Sequence, residues 1–87
     1  LKINKLGSGS TDQATLHPNP TDGVIYINQL MSGSKISVVD MNGIQVQMEV
    51  EVTGSSKSLD LTNLPSGVYL VRIDHSEGTE IHRIVKR

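Results

Sequence analysis

From Ile44 to Val52 every second residue is apolar: Ile44, Val46, Met48, Val50 and Val52 alternate with Gln45, Gln47, Glu49 and Glu51. Successive side chains of a strand point to opposite faces, so this period of two predicts a long strand with one face on a core and one in water. Val24–Gln29 and Ile36–Met41 are further runs rich in β-branched residues. Leu59 and Leu61 alternate with Ser58, Asp60 and Thr62, and Val68–Ile73 and Ile81–Val85 follow. No window supports a helix, because glycine or proline interrupts most stretches before about 10 residues.

Turn residues separate these runs. Asn42-Gly43 lies between two of them and predicts a hairpin with a type I′ turn, which requires positive φ at both positions. Ser76-Glu77-Gly78 joins the last two runs, and Pro18-Asn19-Pro20-Thr21-Asp22-Gly23 is a rigid turn cluster. The spacing predicts an all-β chain: an immunoglobulin-like antiparallel β-sandwich of about seven strands. Leu64-Pro65-Ser66-Gly67-Val68-Tyr69 sharpens this. A tyrosine just after a Pro/Gly corner predicts a tyrosine corner, with its hydroxyl bonded back to upstream backbone. Residues 1–12 read as an N-terminal tail and a Gly/Ser linker, native or artificial, and residues 13–87 as the domain.

Composition removes several functions. The 87 residues suffice for one small domain, and 36% apolar content implies a small, mostly aliphatic core. Without cysteine there is no disulfide, thiolate metal site or cysteine nucleophile. A net charge of -1 and only two tyrosines as aromatics argue against nucleic-acid binding. No apolar run approaches the roughly 20 residues of a membrane span, so no direct membrane insertion is expected. Leu1–Leu6 is too short and polar for a signal-peptide core.

Catalytic and metal sites fare poorly. Glu49 and Glu51 share an exposed strand face without the enclosure that an acid/base pair needs. No nucleophile elbow occurs. His75, Glu80 and His82 would share one face if the last turn were Glu77-Gly78, an arrangement that suits Zn²⁺ but is usually just solvated. No cofactor and no metal is therefore expected. Asn19-Pro20-Thr21 is not an N-glycosylation site, since proline follows the asparagine.

In order, the motifs Leu16-His17-Pro18-Asn19-Pro20-Thr21-Asp22-Gly23, Val38-Val39-Asp40-Met41-Asn42-Gly43-Ile44-Gln45-Val46 and Leu59-Asp60-Leu61-Thr62-Asn63-Leu64-Pro65-Ser66-Gly67-Val68-Tyr69-Leu70-Val71 precede a basic ending, Arg83-Ile84-Val85-Lys86-Arg87. From about Thr15 to Arg87 the chain resembles the C-terminal sorting domain of the type IX (Por) secretion system. Pro18, Asn19 and Pro20 match that family's proline turn. Asp40, Gly43 and Val46 match its central hairpin, and Leu64, Pro65, Gly67 and Tyr69 its corner. Ile84, Val85, Lys86 and Arg87 match the terminal segment associated with translocon recognition. Met41 departs from the usual leucine, and Ile44 from a frequent basic residue.

The resemblance implies a non-enzymatic secretion signal in a Gram-negative bacterium. It would direct a covalently attached N-terminal cargo domain across the periplasm to the cell surface or into the medium. Its implied partners are the type IX outer-membrane translocon, shuttle proteins, and a sortase-like cysteine protease that removes it. On physics alone, the turn motifs serve backbone geometry. The basic end reads equally as an edge strand guarded by charge or as a recognition signal, and the edge from Glu80 to Lys86 is also open to strand addition by a partner. A fibronectin type III-like spacer is the alternative. A carbohydrate-binding sandwich would need an aromatic platform, for which Tyr26 and Tyr69 are the candidates.

Overall fold

The computed structural model describes residues 14–87, so the tail and linker expected over 1–12, and any cleavage position there, lie outside the described residues. Seven strands follow: β1 (Thr15–His17), β2 (Val24–Asn28), β3 (Lys35–Asp40), β4 (Gln45–Glu51), β5 (Lys57–Asp60), β6 (Gly67–His75) and β7 (Gly78–Lys86). They form a three-stranded sheet, β1-β2-β5, and a four-stranded sheet, β4-β3-β6-β7. All strand pairs are antiparallel. This is the expected immunoglobulin-like sandwich. Only β1 goes beyond the runs read from sequence, being too short to show a period.

The core forms where alternate residues of both sheets meet. Ile25 and Ile27 of β2 and Leu59 of β5 face Ile36 and Val38 of β3, Tyr69, Val71 and Ile73 of β6, and Ile84 of β7. Leu61, just past β5, is fully buried, and Leu16, Val46 and Leu64 pack on the margin. Each large aliphatic side chain so placed contributes about 1.5–3 kcal/mol from leaving water. Aliphatic residues suffice because the two sheets interdigitate along a regular pleat.

The hairpin between β3 and β4 corrects two expectations. Gly43 has φ 82°, but Asn42 is not in the positive-φ region, so the turn is not type I′. The Gly43 N–H donates to the Asp40 carbonyl (3.0 Å) and the Asp40 N–H to the Ile44 carbonyl (2.9 Å). That is a three-residue loop, a type I turn closed by a left-handed glycine. Asp40 adds a side-chain clamp, its Oδ1 accepting from the N–H groups of Asn42 (2.9 Å) and Ile44 (3.0 Å). The second correction is the apolar stripe. Ile36 pairs with Val50, Val38 with Gln47 and Val39 with Gln45, so β4 carries two bulged residues. Bulges break a single-face alternation. Ile44 falls in the loop and is 60% exposed, whereas Val46 packs on the core and Val52 is buried.

Candidate functional site

The proline turn and the end of β7 form one unit. Both the His17–Pro18 and Asn19–Pro20 peptides are cis. The turn lies along the outer edge of β7, and the Asn19 side chain pairs with it as a strand would. Its Nδ2 donates to the Arg83 carbonyl (2.9 Å), and its Oδ1 accepts from the Val85 N–H (2.9 Å). The next bonds come from backbone: Thr21 N–H to the Val85 carbonyl (2.9 Å) and Arg87 N–H to the Thr21 carbonyl (2.8 Å). These four bonds fill the β7 edge from Arg83 to Arg87. Strand addition along Glu80–Lys86, expected from sequence, is therefore blocked over its C-terminal half, since those edge groups already have partners.

Thr21 is the hub of this clasp, and sequence reading missed it. It is 1% exposed. Its hydroxyl accepts from the Gly23 N–H (3.1 Å) and donates to the Val24 carbonyl (2.6 Å). β1 ends opposite Tyr26, so it cannot reach Val24, and the Thr21 hydroxyl supplies the missing ladder bond. The only sequence signal was a polar residue inside a turn cluster, where exposure is the ordinary expectation.

The terminal quartet divides by side. Ile84 pairs with Tyr69 and is 0% exposed, so its side chain belongs to the core and is closed to a partner of the folded domain. Val85 lies opposite Val68 on the outer face, continuous with Leu70, Val39 and Ile81. Lys86 is half-buried and Arg87 exposed. The Arg87 guanidinium lies 3.4 Å from Asp22 with both side chains largely in solvent, a contact worth little.

The other family-matched residues hold backbone. Gly67 opens β6, and two residues on Tyr69 is buried, its hydroxyl donating to the Pro65 carbonyl at 2.6 Å. This is the tyrosine corner, completed by a turn from Leu64 N–H to the Leu61 carbonyl (3.0 Å). Tyr69→Phe keeps the ring but strands that carbonyl. Chemical denaturation is expected to read a loss of about 1–2 kcal/mol.

The cluster His75, Glu80 and His82 exists, with a different register. Ile73 pairs with Glu80 and His75 with Gly78, so the turn residues are Ser76 and Glu77. Glu80 Oε2 lies 3.0 Å from His75 Nε2, and Oε1 lies 2.8 Å from His82 Nε2. Oε1 also accepts the Ala14 N–H (3.1 Å), tying the start of the domain to β7. The Glu77 N–H donates to His75 Nδ1 at 3.2 Å. That bond keeps the His75 proton on Nε2, aimed at Glu80, and a metal at Nε2 would have to displace it. Among the described residues no three His, Cys, Asp or Glu side chains are placed to hold a metal ion.

At the same hairpin, the Thr79 hydroxyl bond (2.6 Å) holds the Asp74 carboxyl below its ordinary range, with Arg72 (3.2 Å) assisting. A depressed carboxyl pKa stabilises the fold above the unfolded value, and that contribution is lost as pH falls through the folded one. Thr79→Val is therefore expected to narrow the stability gap between pH 7 and pH 3, by a few tenths of a kcal/mol at this exposed site, in paired thermal melts.

No curated protein sequence matches this chain. A solved structure of PorZ, described as an essential bacterial surface component of the type-IX secretion system of Porphyromonas gingivalis, contains a similar fold. The TM-score is 0.73 at 24% identity, over 93% of this chain and 13% of that one. The chain thus corresponds in fold to a small part of a much longer protein. The model of the family described as secretion system C-terminal sorting domain matches residues 15–87, which include the proline turn, the central hairpin, the tyrosine corner and the clasped end of β7. The chain belongs to this family, the sorting domains of type IX (Por) secretion.

Proposed function

We propose that this domain is the export address of a larger polypeptide. Cargo fused ahead of Ala14 crosses the periplasm, with shuttle proteins attending, and is delivered by the type IX outer-membrane translocon to the cell surface or the medium. There a sortase-like cysteine protease cuts upstream of the sandwich. The domain acts by being recognised and performs no catalysis. The observation that carries this reading is the clasp. It orders Arg83–Lys86 as the end of β7, with Arg87 tied beyond it, and closes their backbone edge, leaving the Arg83, Val85, Lys86 and Arg87 side chains as the readable features. Val85 joins Leu70, Val39 and Ile81 on the outer face of the four-stranded sheet, where the Arg72 and Arg83 side chains also lie, and Lys86 and Arg87 add charge at the end of the strand. Such a patch suits an apolar partner surface with an acidic border.

The tyrosine corner is shared with fibronectin type III-like modules, so a passive spacer is the rival reading. A reporter enzyme carrying a periplasmic signal and fused ahead of the full chain separates the two. In a type IX-competent cell the fusion is expected outside and the unfused reporter in the periplasm. Retention of the fusion, or equal export without the translocon, would support the spacer.

A further inference from the structure

The outer face of the three-stranded sheet differs in chemistry from the aliphatic and arginine-bearing face opposite. Antiparallel register puts His17, Tyr26 and Ser58 in one row across β1, β2 and β5. Tyr26 is 49% exposed. Its ring centroid is 5.8 Å from that of His17, with the planes 31° apart. Asn28, two residues along β2, has its Nδ2 3.0 Å from His17 Nε2. An amide nitrogen only donates, so His17 Nε2 accepts, and Asn28 Oδ1 keeps its acceptor capacity. Beside the rings an open groove of about 410 Å³ is lined by Tyr26, Asn28, Ser56, Lys57 and Ser58.

We infer that this groove binds a neutral pyranose ring of an oligosaccharide. Three observations select that class. A sugar ring has an apolar C–H face that packs on the negative face of an aromatic quadrupole, which exposed Tyr26 offers. Its hydroxyls need alternating donors and acceptors within reach, and two serines and an oriented amide supply them. Lys57 is the one charged residue lining the groove, and Asp60 in the neighbouring row of β5 partly offsets it, so a single exposed cation gives an acidic ligand or a phosphate backbone little advantage. The groove falls within the roughly 300–1,000 Å³ of small-molecule sites. It is open and offers one main stacking ring, so millimolar affinity is expected. The site lies on the sheet opposite Val85 and does not depend on the sorting function.

The test is a ¹⁵N-resolved NMR titration of the full chain with maltohexaose, mannohexaose, chitotriose and, as acidic comparator, trigalacturonate. At least one neutral sugar should move the amides of Tyr26, Asn28 and Ser56–Ser58. Tyr26→Ala should weaken that binding about tenfold, and Tyr26→Phe should retain most of it. Ser58→Leu, at an exposed position, fills the groove and should weaken that binding at least as much, which keeps the test valid if Tyr26→Ala misfolds. Silence of these resonances with every neutral sugar would overturn the inference. So would binding unaffected by either variant, or tighter binding of trigalacturonate.

Discussion

Ile84→Ala is expected to destabilise the domain by about 2–5 kcal/mol, a large share of the roughly 5–15 kcal/mol that holds a native domain together. Ile84 is the core residue of β7, 0% exposed and opposite Tyr69. Truncation removes apolar contacts and leaves a void that the rigid sheets cannot collapse around. The variant should lose export too, because the clasped strand no longer forms. Ile84→Val, at about 0.5–1.5 kcal/mol, should stay folded and be exported. Denaturant midpoints and the exported fraction should therefore fall together across the Ile84 series. Export lost in Ile84→Val at near-native stability would mean that the side chain itself is read.

Thr21→Val carries the second large effect. The two side chains have nearly the same shape, so the change removes only the hydroxyl. The Gly23 N–H then loses its partner in a buried setting and the Val24 carbonyl in a part-buried one, which should cost about 1–3 kcal/mol. For a domain of this size each kcal/mol lowers Tm by about 4–8 °C. The clasp should loosen with it, because the Thr21 backbone bonds both Val85 and Arg87. Amide exchange at Arg87 and Val85 is expected to accelerate more than at Val71 in the central strand β6. Thr21→Ser retains the hydroxyl and should recover most of the loss. Unchanged exchange at Arg87 in Thr21→Val would show that the clasp is held by Asn19 alone.

Strand existence was legible in the sequence because both sheets bury one face and expose the other. Ile25, Ile27, Val71 and Ile73 announce their side by period alone. The tyrosine corner was legible because a Pro/Gly corner followed by tyrosine has few other structural uses. What stayed hidden depends on contacts distant in sequence. Asn19 meets Arg83 and Val85 across 64 and 66 positions, and no local pattern marks an asparagine as a substitute strand. Thr21 looked like one more turn residue. The bulges of β4 arise from its pairing with β3, so the stripe from Ile44 to Val52 overstated its reach. Asn42-Gly43 predicted the hairpin but not its loop length, since Asp40 clamps two N–H groups and favours a three-residue turn. Of the terminal quartet, the sequence could not separate Ile84, which holds the fold, from the residues beside it that face solvent.

That separation is the centre of the account, and Lys86→Glu with Arg87→Glu tests it most directly. The double variant leaves the Arg87 N–H bond to Thr21 and the buried Ile84 in place, so Tm should stay within a few degrees of the parent. Fused behind a reporter in a type IX-competent cell, it is expected to leave the reporter folded, intact and held in the periplasm. Export at the parent's level from this variant would contradict recognition at the clasped end of β7.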